Sequence, residues 1–166
     1  MNEISEITKQ LNLAPHPEGG FYKETYRSEG SIDTNNLGKA YNGTRNFATA
    51  IYFLLTSASF SAFHRIKQDE TWHFYKGKPL KLYTISPAGI LSEILIGNNI
   101  TQGEVPQYTV PGGHWFASEV AAANDYSLVG CTVAPGFDFN DFELAKRSEF
   151  ASLFPQHASI INKLTR

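Results

Sequence analysis

His64-Arg65-Ile66-Lys67-Gln68-Asp69-Glu70-Thr71-Trp72-His73-Phe74-Tyr75-Lys76-Gly77 is the stretch that decides how this chain folds. It joins two short runs of apolar and aromatic residues, 62–66 and 71–75, separated by polar residues and followed by the turn signal Gly77-Lys78-Pro79. Similar runs lie on either side, at 47–55, 80–85, 91–96, 108–110, 114–117 and 126–133. Ser86-Pro87-Ala88-Gly89, Gly97-Asn98-Asn99 and Pro111-Gly112-Gly113 punctuate them. Short strands at such intervals, with no helices between them, predict an all-β sandwich or barrel, of which the double-sheet jelly roll is one form.

Toward the amino terminus, Phe21 to Arg27 reads as a further strand, and 28–43, rich in Gly, Ser, Asn and Asp, reads as a loop. Ile4, Ile7, Leu11 and Leu13 fall at helical spacings, and Pro15 and Pro17 end any helix there. Beyond Pro135-Gly136 the pattern predicts one or two short helices closing over the barrel. No internal repeat divides the chain, so 1–166 is expected to be a single domain, a size that buries a core without disulfide or structural metal.

Composition narrows the function. The net charge is −2 with acids and bases interspersed, and no Lys/Arg run suits nucleic acid or an anionic membrane. Cys131 is the single cysteine, which excludes an intrachain disulfide and a thiolate cluster. The first residues lack the basic start and apolar stretch of a signal peptide, and no apolar run approaches a membrane span, so a cytoplasmic location is expected. Aromatic residues make up 13%, a share that suits strands and the walls of a ligand pocket.

His64, Glu70 and Gly77 stand at the first His, the Glu and the closing Gly of a pattern that resembles the first cupin motif, with Ile66 in place of its second His and Ala58 in place of its leading Gly. Pro111 and Gly113 resemble the Pro-x-Gly turn of the second motif, with Phe116 where its His is expected and Val120 where its Asn is expected. Five further segments sharpen the likeness. They are Pro17-Glu18-Gly19-Gly20 with Phe21-Tyr22, Asp69-Glu70-x-Trp72-His73-Phe74-Tyr75, Pro111-x-Gly113-x-Trp115, Gly130-Cys131-x-Val133-x-Pro135-Gly136-Phe137 and Asp141-Phe142-Glu143. Together they are similar to the cupin-5 family over nearly the whole chain. The resemblance implies a double-stranded β-helix, the cupin or jelly-roll barrel, with short terminal helices, a ligand-sized cavity and a homodimer. It brings no established reaction.

Cupin metal sites generally use three His and one Glu. Here His64 and Glu70 alone keep those positions, so no metal is expected, and a metal-dependent enzyme completed by His73 or His114 is the alternative. Three residues apart on a strand, Glu70 and His73 should face opposite sides, whereas His114 shares the inward face of Phe116.

His64 and Glu70 are the candidate catalytic residues. Burial would raise the Glu70 pKa and a protonated His beside it would lower it, and such a pair can bind a polar ligand or transfer a proton. The plainer reading is that the two satisfy one another, or are satisfied by Arg65 or Arg45 or by water. Tyr52, Trp72, Phe74, His114 and Phe116 are the candidate ligand-binding residues, against a plain core role for the strand aromatics. Trp115 should point away from Phe116. The glycines of Glu18-Gly19-Gly20 fit a turn requiring positive φ better than a segment reaching over the pocket, and Cys131 reads as a buried, inert thiol.

The expected function is a cupin that binds a small sugar-like or otherwise polar metabolite, as a metal-independent epimerase or isomerase with His64 as base and Glu70 orienting it. That step is analogy from fold. The alternatives are the metal-dependent enzyme and a non-catalytic binding or storage module.

Overall fold

Side chains alternate along Asp69–Phe74, up to a bulge at Tyr75. Trp72 and Phe74 join the main apolar core, while Thr71 and His73 face the other way and bond to Thr109 and Thr132 across the sheet. This period of two recurs through the chain and builds two layers. The computed structural model describes residues 3–166.

A helix, α1 (Glu3–Gln10), precedes strands β1 (Ala14–Pro15), β2 (Phe21–Arg27), β3 (Ser31–Ile32), β4 (Arg45–Asn46) and β5 (Thr49–Thr56). Then come β6 (Phe60–Arg65), β7 (Asp69–Gly77), β8 (Leu80–Ile85) and β9 (Leu91–Ile96). The last strands are β10 (Gln107–Val110), β11 (Trp115–Val120), β12 (Tyr126–Ala134) and β13 (Glu143–Leu144), followed by helices α2 (Arg147–Leu153) and α3 (Ala158–Lys163). One sheet runs β1-β2-β5-β12-β7-β10 and the other β13-β6-β11-β8-β9, with β3-β4 as a small separate ladder. The fold is the all-β double-stranded β-helix expected from the sequence, with short helices at both ends. The expected loop at 28–43 contains β3 and a single 3-10 turn, Thr34–Asn36.

Between the sheets lie Phe53, Leu55, Ile66, Trp72, Leu80, Leu82, Phe116, Val129 and Cys131. Burying one such large side chain contributes roughly 1.5–3 kcal/mol, so this layer supplies the bulk of the driving force. The outer face of the five-stranded sheet carries Phe63, Tyr83, Ile85 and Trp115, covered by Phe150 of α2, Ile161 of α3, and Phe154 and Leu164, the residues that follow those helices. Trp115 and Phe116 therefore do point to opposite faces. On the outside of the six-stranded sheet, Ile4, Ile7 and Leu11 from the α1 segment pack with Leu13, Leu54 and Tyr126.

Candidate active site

Toward one end of the barrel the core gives way to a cavity of about 510 Å³. Strand parity selects what faces it. From β6 comes His64, from β7 Glu70, from β12 Cys131 and Val133, and from β5 Thr49, Ile51 and Phe53. Tyr22, Glu24 and Arg27 line it from β2, and Phe137, Asp138, Phe139 and Phe142 from the segment after β12. His16 and Glu18 enter from the turn between β1 and β2.

That turn is held by main-chain bonds from His16 N–H to Gly20 O and from Gly19 N–H to His16 O, both 3.0 Å. Ala62 N–H on β6 clamps Glu18 O at 2.8 Å. Gly19 and Gly20 have φ of +114° and +76°, and a Cβ on Gly19 would lie 2.1 Å from the Phe60 carbonyl oxygen. Only glycine lets the turn press this closely on the sheet. The expectation of a positive-φ turn is met, and the turn also delivers Glu18 into the cavity.

The Glu18 carboxylate meets His64 Nε2 at 2.8 Å and accepts from Ser61 Oγ at 2.8 Å. On the other side of the ring, Nδ1 of His64 faces the Ala62 carbonyl oxygen at 2.7 Å. A carbonyl oxygen only accepts, so Nδ1 carries a hydrogen, and one further proton lies between Nε2 and the carboxylate. The pair is neutral as a whole and leaves no free lone pair on the ring. Burial works against charge on both groups, but each stabilises the other's ion. The His64 pKa is therefore raised and that of Glu18 lowered, which places the proton on the imidazole.

Glu70 is 8% exposed and sits differently. Among the described residues the Cys131 thiol is its hydrogen-bonding neighbour, and it acts on His64 through charge. Burial pushes its pKa up to about 7, with the Glu18 charge adding to the rise and His64 opposing it. Burial and the neighbouring Glu70 raise the Cys131 thiol pKa well above its ordinary value, in keeping with an inert cysteine. Burial lowers the His16 pKa, with the Glu18 charge opposing the shift. Its Nδ1 accepts from Glu18 N–H at 3.3 Å, and its ring lies 4.5 Å from that of Tyr22.

Of the residues named from sequence, His64 and Glu70 meet in the cavity. Tyr52, Trp72, Phe74, His114 and Phe116 do not line it. Tyr52 lies on the outer face of its sheet, because the odd-numbered residues of β5, Ile51, Phe53 and Leu55, face the core; its ring lies 6.1 Å from that of Tyr75. Trp72 and Phe116, each 1% exposed, are packed core residues, and Phe74 packs against that core. Phe116 comes nearest the site, its ring 4.1 Å from that of His64. His114 stays in the turn before β11, with Nδ1 buried and without a hydrogen-bond partner. Arg45 and Arg65 do not serve His64 or Glu70: they bond to Asp141 and Glu143. Glu18, His16 and the Phe137–Phe142 rings were not singled out as site residues, although the Pro17–Gly20 and Asp141–Glu143 segments carried part of the family likeness.

The sequence model of the Cupin_5 family, described as cupin superfamily (DUF985), matches residues 5–145. The chain belongs to the Cupin_5 family. This Cupin_5 chain is 30% identical over 154 residues to an uncharacterized protein of Saccharomyces cerevisiae, a match spanning 87% of this chain and 76% of the yeast protein. It superimposes with a TM-score of 0.89 on a Shewanella oneidensis crystal structure, at 40% identity over 100% of this chain and 99% of that one. A hypothetical protein from Leishmania major gives the same TM-score at 39% identity, covering 99% of each chain. Oxalate decarboxylase from Bacillus subtilis shares the fold at 13% identity and a TM-score of 0.52, over 90% of this chain and 36% of that enzyme.

Many cupins hold a metal, and the residues present in this Cupin_5 cavity do not fit one. Both nitrogens of His64 are engaged, His73 faces the opposite side of its strand, and His114 lies outside the cavity wall. Among the described residues no three His, Cys, Asp or Glu side chains group to hold an ion.

Proposed function

We propose that this Cupin_5 protein binds a small polar metabolite in the barrel cavity and moves a proton on it, with Glu70 as the acid–base group. The observation that carries the reading is the contrast between the two carboxylates. Glu18 is locked to His64, whereas Glu70 lines the same cavity with a pKa near 7. General acid–base catalysis is most effective when the pKa lies near working pH, and it contributes typically ~10²–10⁴-fold in rate.

In this reading the Glu70 carboxylate removes a proton from a carbon next to a carbonyl. The C–H electron pair moves into the new C=C bond and the carbonyl π pair onto oxygen, giving an enolate. Return of that proton by Glu70 to the same carbon gives exchange; when the neighbouring hydroxyl proton first passes to the enolate oxygen, return to the former carbonyl carbon gives the isomer, with the C=O moved by one position. The roles expected from sequence are rearranged: His64 is held by Glu18 in a neutral pair, and the open carboxylate of Glu70 takes the part of the base. A single open base suits a 1,2-shift isomerisation better than a two-base epimerisation.

The test is deuterium incorporation from D₂O into a panel of hydroxy-ketones and aldoses, followed by proton NMR. Wild-type protein should wash out one C–H signal, and Glu70→Gln should slow that exchange by about 100-fold or more. No exchange across the panel, or full exchange by Glu70→Gln, overturns the proposal.

A further inference from the structure

The charge balance of the cavity points to the kind of ligand it takes. Its wall carries four carboxylates, those of Glu18, Glu24, Glu70 and Asp138, against the cations Arg27 and His64. Neither cation has a donor to offer. Arg27 gives Nε and Nη2 to Glu24 at 2.9 and 2.7 Å, Nη1 to Asn46 at 2.9 Å, and both Nη atoms to Phe137 O at 3.1 Å. All five guanidinium hydrogens are thus engaged. His64 spends both ring nitrogens on Ala62 and Glu18, and His16 Nδ1 accepts from Glu18 N–H. An anionic ligand such as a phosphate or carboxylate would meet an excess of negative charge and, among the described residues that line the cavity, no free cationic donor.

A cation finds the reverse. Asp138 at the rim uses Oδ1 to accept from Asn140 N–H at 2.8 Å, and no protein donor among the described residues is seen on Oδ2. Phe137, Phe139 and Phe142 stand beside it, with ring centroids 4.9 and 5.9 Å apart in successive pairs. Phe139 is half exposed, and His16 stacks 6.2 Å behind it. Ring faces attract an ammonium group, the more strongly the more it is desolvated.

We infer that the cavity selects a small molecule bearing an amine or quaternary ammonium group, held at the rim by Asp138 and the Phe137–Phe139–Phe142 rings with its uncharged part directed inward to Glu70. The inference rests on the cavity being the ligand site, as proposed above, and adds the charge class of the ligand.

Three probes of nearly equal shape test it: benzylamine, benzyl alcohol and benzoate, titrated at pH 8 by calorimetry or ligand-observed NMR. Benzylamine should bind about tenfold tighter than benzyl alcohol, and benzoate should show no binding. Asp138→Asn keeps the side-chain volume and the cap to Asn140. It should weaken benzylamine about fivefold and leave benzyl alcohol unchanged. Phe139→Ala should weaken benzylamine more than benzyl alcohol. Benzoate binding as well as benzylamine, or Asp138→Asn weakening both binders alike, overturns the inference. Benzyl alcohol matching benzylamine also overturns the charge preference while leaving the cavity reading intact. Failure of every probe to bind counts against both.

Discussion

Glu18 Oε2 and His64 Nε2 are 2.8 Å apart inside the barrel, the acid carried by a glycine turn and the imidazole by a strand of the five-stranded sheet. Because Ala62 O occupies the other ring nitrogen, the pair holds a charge-compensated proton rather than an open base. Glu18→Gln should remove that compensation. Nitrogen-15 NMR of the His64 ring should then change from an imidazolium to a neutral pattern at pH 7. An unchanged imidazolium would show that Glu18 does not hold the proton there. Glu18→Ala, which leaves the buried imidazole unpaired, should cost about 3–5 kcal/mol in urea denaturation.

Glu70 sets a pH dependence of opposite origin. Its folded pKa, about 7, lies above the ordinary 4.5, so the folded state holds the proton more tightly than the unfolded chain does. Below pH 4.5 both states are protonated and nothing is lost. Stability falls as pH rises from 4.5 to about 7 and then levels off, with a total cost of about 3 kcal/mol. His64, with a raised pKa, contributes stability below its ordinary value of 6.5 that is lost as pH rises through its higher folded pKa. Glu18, with a lowered pKa, contributes above its ordinary 4.5 and loses that as pH falls through its folded value. Urea denaturation at pH 5, 6, 7 and 8 should show a declining limb in wild type, and the part lying between pH 5 and 7 should flatten in Glu70→Gln. Equal slopes in the two proteins would contradict the raised pKa.

The segment that carries Phe139 and Phe142 is fastened by a second buried pair. Asp141 accepts from Arg45 Nε at 2.7 Å and Nη2 at 2.8 Å, from Gln68 at 2.7 Å, and pairs with Lys67 at 3.1 Å. Removing one member strands a desolvated charge. Asp141→Ala should lower stability by about 3–5 kcal/mol, and Arg45→Met combined with Asp141→Leu should recover much of it. Chemical denaturation of the single and double variants measures the difference. A single variant as stable as wild type would show that the pair fastens nothing.

Parity separates the aromatics that face the cavity from those that do not. Tyr52→Ala should leave the affinity for benzyl alcohol unchanged, because its ring lies outside the barrel. Phe142→Ala, which opens the cavity wall between His16 and His64, should change it severalfold. Equal responses to the two substitutions would mean that the ligand sits elsewhere.

Much of this architecture was legible in the chain. The runs at 80–85 and 91–96 became β8 and β9 with the same limits, since both are short and bounded by turn residues on each side. The inward placing of His64 and Glu70 followed from their positions in the motif, and strand alternation set His73 on the opposite face. Tyr52 was misplaced because residues 50–55 are apolar without interruption, so the pattern held no parity signal. Trp72 and Phe116 do face inward, but sequence cannot tell the packed depth of a barrel from its open end. Glu18 escaped for another reason: the contact joins a turn to a strand far along the chain, and no periodicity records it.

The glycine turn has a consequence for how variants would be interpreted. Gly19 touches neither the imidazole nor the cavity, yet a methyl group there would strike the Phe60 carbonyl oxygen and displace the residue before it. Main-chain fit, rather than a rotamer, therefore sets how firmly His64 keeps its proton. A substitution at Gly19 would be felt as altered acidity at His64, through the single side chain of Glu18.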